Sequence, residues 1–286
     1  MSMDDFVNEL KNVLEHDTSL TKEDIARLKV KLSKKYSLGK IPTDIEVFLH
    51  AKEQDIPWLR ERLQTKPNRS MSGVIPVAIM TSPHPCPHGK CTMCPGGVDG
   101  QWGDTPQSYT GAEPAAMRGA RADFDAYYQV FNRLEQYVVT GHTIDKVDLI
   151  LMGGTFPART KEYQDLFVRD AFQAMNDFSD VFIKDNGTID FHSFKEFFEL
   201  PGDINNQERA LRLRERMDKL KENKHSLHEE QQRNEHSHVR CIGLTIETRP
   251  DWGLAKHGNV MLEQGCTRVE LGIQSVYDKG LSAINR

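Results

Sequence analysis

The sequence predicts an α/β fold built on a parallel sheet, and three observations carry that reading. Short apolar runs of strand length, VIPVAIM, VDLILM, CIGLTI and RVELGI, are widely spaced along the chain. Segments with helical period lie between them, the alternation expected of β/α units. A polar motif follows each run on its carboxyl side, where parallel sheets, open or closed into a barrel, hold their ligands.

Residues 1–70 read as a small helical region. Phe6, Leu10, Val13 and Leu14 recur at helical spacing, as do Ile25, Leu28 and Leu32, and Pro42, Pro57 and Pro67 punctuate the connections. The period changes at Val74–Met80, the first strand, which the cysteine loop follows. A long helix is expected from Pro114, a favoured first helical residue. Met117, Ala120, Phe124, Tyr127, Phe131, Leu134 and Val138 form its single apolar stripe, and Gly141 ends it. Val147–Met152 is the second strand, followed by Gly153, Gly154 and Thr155. A helix through Tyr163, Leu166, Phe167 and Phe172 comes next.

Residues 176–238 break the rhythm. They hold a charged helix, ERALRLRERMDKLKENK, and a polar tract, HSLHEEQQRNEHSH, which read as a partly mobile insertion. KDNGTIDFHSFKEFF within it faintly suggests a calcium loop. Aligning its Gly187 puts Phe182, Lys184 and Ser193 where acidic ligands belong, so that reading is rejected. Cys241–Ile246 is the third strand, followed by Glu247, Thr248, Arg249 and Pro250. A helix spans roughly Leu254 to Leu262, and Arg268–Ile273 is the fourth strand, followed by Gln274 and Ser275. Motifs far apart in sequence thus converge on one mouth, which points to an enzyme.

The 286 residues carry a net charge of -5, with 38% hydrophobic and 28% charged residues. No run of about 18 apolar residues occurs, so no membrane helix is expected. The start, MSMDDFVNEL, lacks the pattern of a signal peptide. Five cysteines, three of them at metal-ligand rather than disulfide spacing, favour a reducing cytoplasmic setting. The acidic balance excludes a wholly basic nucleic-acid binder, yet the charge is uneven. Lys22, Arg27, Lys29, Lys31, Lys34, Lys35 and Lys40 crowd one stretch, and Arg60, Arg62, Lys66 and Arg69 follow. Such a face is either a solvated helix surface or a phosphate-binding one.

HPCPHGKCTMCPGG, residues 84–97, supplies Cys86, Cys91 and Cys94 from one loop. Thiols become thiolates when they meet a metal. Zinc takes four ligands, and His84 or His88 can complete the set. A four-iron cluster on three thiolates keeps one iron open for a substrate or cofactor. Cys241 and Cys266 read as small buried hydrophobes.

Three cysteines after the first strand and Gly-Gly after the second resemble the radical S-adenosylmethionine enzymes. Longer motifs narrow this. KPNRSMSGVIPVAIM, CPHGKCTMCPGG, PQSYTGAEPAAMR, GHTIDKVDLILMGGTF, CIGLTIETRPD, GCTRVELGIQSVYD and the closing INR resemble the family of Elongator catalytic subunits. The resemblance runs from about residue 20 to the last residue outside the insertion. The first cysteine gap is shorter than in eukaryotic members, as in archaeal or bacterial forms.

The resemblance implies a radical S-adenosylmethionine, TIM-like parallel β/α barrel joined to an acetyltransferase domain. Together they form 5-carboxymethyluridine at the tRNA wobble position from acetyl-CoA, through a 5′-deoxyadenosyl radical generated at a 4Fe-4S cluster. It implies Cys86, Cys91 and Cys94 as cluster ligands. Gly153, Gly154, Thr155, Glu247, Arg249 and Gln274 are implied as S-adenosylmethionine contacts, Lys146 as an acetyl-CoA contact, and the basic region with Lys29, Lys31, Lys34 and Lys35 as a tRNA contact. The implied partners are tRNA, acetyl-CoA, and either further Elongator-type subunits or a second copy. The chain stops soon after its fourth strand. The expectation is therefore a partial barrel over 71–286, without the acetyltransferase domain, and a fragment inactive alone. The rival expectation is a zinc-stabilised, non-catalytic tRNA-binding module or scaffold.

Overall fold

The structure, a computed structural model, describes residues 2–203, 206–223 and 225–286. The expectations for 1–70 and 176–238 lie outside the described residues only at Met1, Ile204, Asn205 and Lys224. Helices α1 (Met3–His16), α2 (Lys22–Lys35), α3 (Asp44–His50) and α4 (Ile56–Leu63) precede strand β1 (Ile75–Met80). Helices α5 (Pro114–Arg121) and α6 (Ala126–Val139) lead to β2 (Lys146–Met152). Helices α7 (Lys161–Phe182), α8 (Phe191–Phe197), α9 (Gln207–Lys221) and α10 (Leu227–His236) lead to β3 (Arg240–Thr248). The order closes with α11 (Ala255–Glu263), β4 (Arg268–Leu271) and α12 (Asp278–Ala283).

The chain divides into two compact units. One comprises residues 1–73, 135–144 and 182–218. Its first helices begin on capping boxes. Ser2, Thr21 and Thr43 accept backbone N–H groups, and Asp5, Asp24 and Glu46 reach back to the caps. Phe6, Leu10, Leu14, Ile25 and Leu32 form buried stripes, as the spacing predicts. Part of the insertion belongs to this core. Phe191 meets Phe48 edge to face at 5.2 Å, and Phe182 packs against Phe194, Phe197 and Phe198. Asp190, in the stretch weighed as a calcium loop, caps α8 by accepting the Ser193 N–H at 3.1 Å.

The other unit comprises residues 74–134, 145–181 and 219–286 and holds the sheet. All neighbours are parallel, in the order β1-β2-β3-β4. Each crossover therefore returns to the adjacent position, as in a barrel wall; a doubly wound sheet reverses its order. Val77, Ile79, Val147, Leu149, Leu151, Leu244 and Ile246 are buried. β4 is short, and Val269 and Leu271 are 41% and 40% exposed, so its outer ladder edge is open among the described residues. The polar tract, read as part of a partly mobile insertion, builds α10. Its buried Asn234 donates to Asn176 Oδ1 at 2.8 Å, and Asn176 donates to the buried Glu230 at 2.7 Å.

One helix expected from the apolar stripe is in fact two. Asp123 and Phe124 take φ of 51° and 56°. The Phe124 N–H donates back to Gly119 O at 2.7 Å, which closes α5. Asp125 then accepts the Tyr128 N–H at 3.2 Å and starts α6. The stripe holds only on α6, where Tyr127, Phe131, Leu134 and Val138 are buried; on α5 the break turns Met117 and Ala120 outward, and Ala116 and Gly119 are buried instead.

Leu149 is fully buried in a central strand. Leu149→Ala is expected to cost roughly 2–5 kcal/mol in urea unfolding; a loss under about 1 kcal/mol would remove it from the core.

Candidate functional site

The β1–β2 ladder places two loops side by side. Thr81 N–H donates to Met152 O at 2.9 Å, and its hydroxyl donates to Gly153 O at 2.9 Å. The cysteine loop then turns back on itself, with Gly89 N–H donating to Cys86 O at 3.0 Å and Cys94 N–H to Cys91 O at 2.9 Å. The segment 105–109 crosses it as a strap. Gly97 N–H donates to Thr105 Oγ1 at 2.8 Å, and that hydroxyl donates to Tyr109 O at 2.7 Å. A Cβ on Gly96 would fall 1.8 Å from Tyr109 O, so the crossing requires glycine there.

Beyond the strand ends lies a cavity of about 390 Å³. Cys86, Cys91, Cys94, Gly154, Thr155, Glu247, Arg249 and Gln274 all line it. Gly153 stands just behind, where a Cβ would meet Thr81 Oγ1 at 2.4 Å. Sequence reasoning missed Gln107, Tyr109, Glu270 and Arg286 as members of the wall, while Thr248 lies in a strand-end motif it placed at the mouth. Gln107 and Tyr109 lie in a quoted motif, PQSYTGAEPAAMR, but in a loop with no strand end to mark them.

Lys146 does not join this group. It begins β2, at the end opposite the cavity, and pairs with Asp145 at 2.5 Å. The basic helix α2 also differs from a uniform charged face. Lys29 is 8% exposed and bonded to Asp44 at 2.8 Å. Lys35 pairs with Glu9 at 2.5 Å, while Lys31 and Lys34 stay exposed.

Each sulfur has its own polar partner. Cys86 Sγ is 3.2 Å from Thr155 Oγ1, and His88 Nε2 is 3.1 Å from Cys91 Sγ. Gln107 Nε2 donates to Cys94 Sγ at 3.3 Å. Arg249 and Arg286 bring guanidinium nitrogens to 3.8 and 3.7 Å from Cys91 Sγ. Burial pushes the Cys86 thiol above its ordinary range, against the pull of Thr155 and Arg249. Burial, then Arg249, hold His88 below the usual histidine range, so its imidazole is neutral at pH 7. On the facing wall Tyr109 donates its hydroxyl to Glu247 at 3.0 Å. Burial raises both groups, so the phenol keeps its proton. Thr248 Oγ1 is buried there with no hydrogen-bond partner.

The donor set fits a cluster bound through three separate thiolates. Cys241 and Cys266 are absent from the cavity lining; they donate to Gly243 O at 3.3 Å and Arg268 O at 3.1 Å. Among the described residues, no three His, Cys, Asp or Glu side chains converge on a point that one metal ion could occupy. A cluster offers each thiolate its own iron, so its ligands need only line a common cavity.

Residues 3–71 match the family model described as the ELP3 N-terminal domain. The chain is 41% identical over 269 residues to a tRNA uridine(34) acetyltransferase of Methanocaldococcus infernus, covering 94% of this chain and 42% of that protein. The similarity to Elp3 proteins thus runs along nearly the whole of this chain. The chain is 35% identical to human Elongator complex protein 3, over 92% of this chain and 41% of that protein. It thus spans about two fifths of the length of the curated Elp3 relatives it matches. A solved structure of M. infernus Elp3 lacking its N-terminus aligns with 73% of this chain and 31% of its own, at 33% identity and a TM-score of 0.45.

The Glu247 carboxyl lies above its ordinary 4.5 because it is buried, and Glu270 adds to the shift. The folded chain then binds more protons than the unfolded one between 4.5 and the raised value. This group's stabilisation is full below about 4.5 and is lost as pH rises through the raised value. Glu247→Gln keeps an acceptor for Tyr109. It should raise the melting temperature over wild type at pH 8 and leave it nearly unchanged at pH 4. An equal difference at both pH values would contradict the assignment.

Proposed function

We propose that this chain forms the S-adenosylmethionine site of a tRNA uridine-modifying enzyme, with a 4Fe-4S cluster on Cys86, Cys91 and Cys94. One observation carries the reading: three thiols from a single loop share a cavity with the ends of the other strands. The similarity to archaeal tRNA uridine(34) acetyltransferases supports tRNA as the substrate class.

When bound, the cluster supplies the electron that reductively cleaves S-adenosylmethionine. The chain's own residues bind and orient. Glu247, aligned by the Tyr109 hydroxyl at 3.0 Å, keeps its second oxygen to accept hydrogen bonds from ribose hydroxyls. Arg249 presents positive charge toward a carboxylate, its own partner being Asp251 at 2.9 Å. Gln274 lies on the adenine side. The unpartnered Thr248 hydroxyl is a further donor and acceptor for a ligand in the cavity.

Acetyl-CoA as co-substrate rests on the family resemblance, and Lys146 receives no support from the cavity. In the basic region, Lys31 and Lys34 carry the tRNA proposal and Lys35 shares its charge with Glu9. Lys29 is withdrawn into its ion pair.

A second reading has a specific observation in its favour. His88 lies 3.1 Å from Cys91 Sγ and can serve as fourth ligand of a zinc. Anaerobic reconstitution with iron and sulfide separates the two. The expected product is a brown, oxygen-sensitive protein with about four irons that, once reduced, converts S-adenosylmethionine to 5′-deoxyadenosine. Cys91→Ser should lose the iron. A colourless protein holding one tight zinc would sink the cluster reading.

For tRNA, Lys34→Glu should weaken binding and lower the slope of log K against log salt by roughly the share of one phosphate contact. Reversal of the buried Lys29 should instead lower stability through its lost pair with Asp44. Unchanged tRNA affinity in Lys34→Glu removes that helix face from the interface.

A further inference from the structure

Gln107 is 6% exposed, and its carboxamide touches the cysteine loop. Its Nε2 donates to Cys94 Sγ at 3.3 Å. A thiolate only accepts hydrogen bonds, so this orientation of the amide is the one a bound cluster calls for. The side chain is held from two sides. A Cβ on Gly97 would fall 2.3 Å from Gln107 Oε1, and one on Gly154 would fall 2.9 Å from Gln107 Cβ. Both glycines have positive φ, +128° and +85°. Gly154 thus makes room inside the protein for Gln107 as well as facing the cavity. The strap bonds through Thr105 fix the backbone that carries the side chain.

The sulfurs are served unequally. Cys91 has two guanidinium groups and an imidazole nearby. Cys86 has a hydroxyl. Cys94 as a thiol donates to Gly96 O at 3.0 Å. As a thiolate it loses that bond and faces the carbonyl dipole, so the Gln107 N–H is the donor that offsets it. Hydrogen bonds to ligand sulfurs withdraw electron density and favour the more reduced, more negative cluster.

We infer that Gln107 is a positioning residue whose N–H···S bond to Cys94 raises the reduction potential of the cluster and so sets how readily it accepts its electron. The inference rests on the cluster reading above. The couple is one electron passing from an external one-electron reductant to the cluster; no protein bond is made or broken.

The test is an electron-paramagnetic-resonance redox titration of the reconstituted chain with dithionite, without S-adenosylmethionine. Wild type is compared with Gln107→Met, similar in volume but without a donor, and with Gln107→Glu, which adds negative charge. The expected result is equal iron content, a lower midpoint potential in Gln107→Met and a still lower one in Gln107→Glu. One exchangeable-proton coupling should also vanish from the electron–nuclear double-resonance spectrum of reduced Gln107→Met. Equal midpoints at equal iron content overturn the inference. So does loss of the cluster from a Gln107→Met chain with a native thermal melt, which would make Gln107 an assembly residue. A wild-type chain that takes up no cluster fails the underlying reading, and its iron content alone distinguishes that outcome.

Discussion

Parallel strands cannot be joined by a tight turn, so each must be carried back to its starting end before the next can pair. Everything at this site follows from that constraint. The helices spend their length on the return, and the loops that leave the strands all emerge at one edge. β1 delivers the thiols, β2 the glycine pair, β3 the acid and arginine, and β4 the glutamine. No one segment lines the whole cavity. The ladder brings them together without any of them being neighbours in sequence.

The second layer of organisation is the strap over the cysteine loop. Its backbone approaches too closely for a side chain at Gly96. That closeness sends Gln107 to one wall of the cavity and Tyr109 to the other. The two walls differ in character. One gathers sulfur and guanidinium, the other carboxylate, phenol and hydroxyl.

The strands, their order of chemistry and the three thiols were legible because apolar runs and strand-end motifs are local signals. What was not legible is non-local or depends on a single φ angle. The α5–α6 break costs no step in the apolar stripe, so periodicity passes through Asp123 and Phe124 unmarked. The phenylalanines after α7 look like surface helix in a charged neighbourhood, yet Phe191 finds its partner in Phe48. Lys29 counts as one more positive charge in sequence and becomes half of a buried pair only when Asp44 arrives. Gln107 and Tyr109 acquire meaning only from sulfur and carboxylate partners far along the chain.

The middle ladder has a consequence for how the chain assembles. β2 ends at Met152 and β3 begins at Arg240, with four helices synthesised between them. Closing so long a loop is slow relative to forming the helices, and parallel pairings of this kind dominate folding time. During synthesis the β1–β2 pair must wait with one edge unsatisfied, a hazard for self-association. Asp148 sits at the register irregularity of that edge, and its later partner, Arg268, comes from β4 at 3.1 Å. Until then it is an uncompensated charge on a hydrophobic strand, which discourages another chain from pairing there.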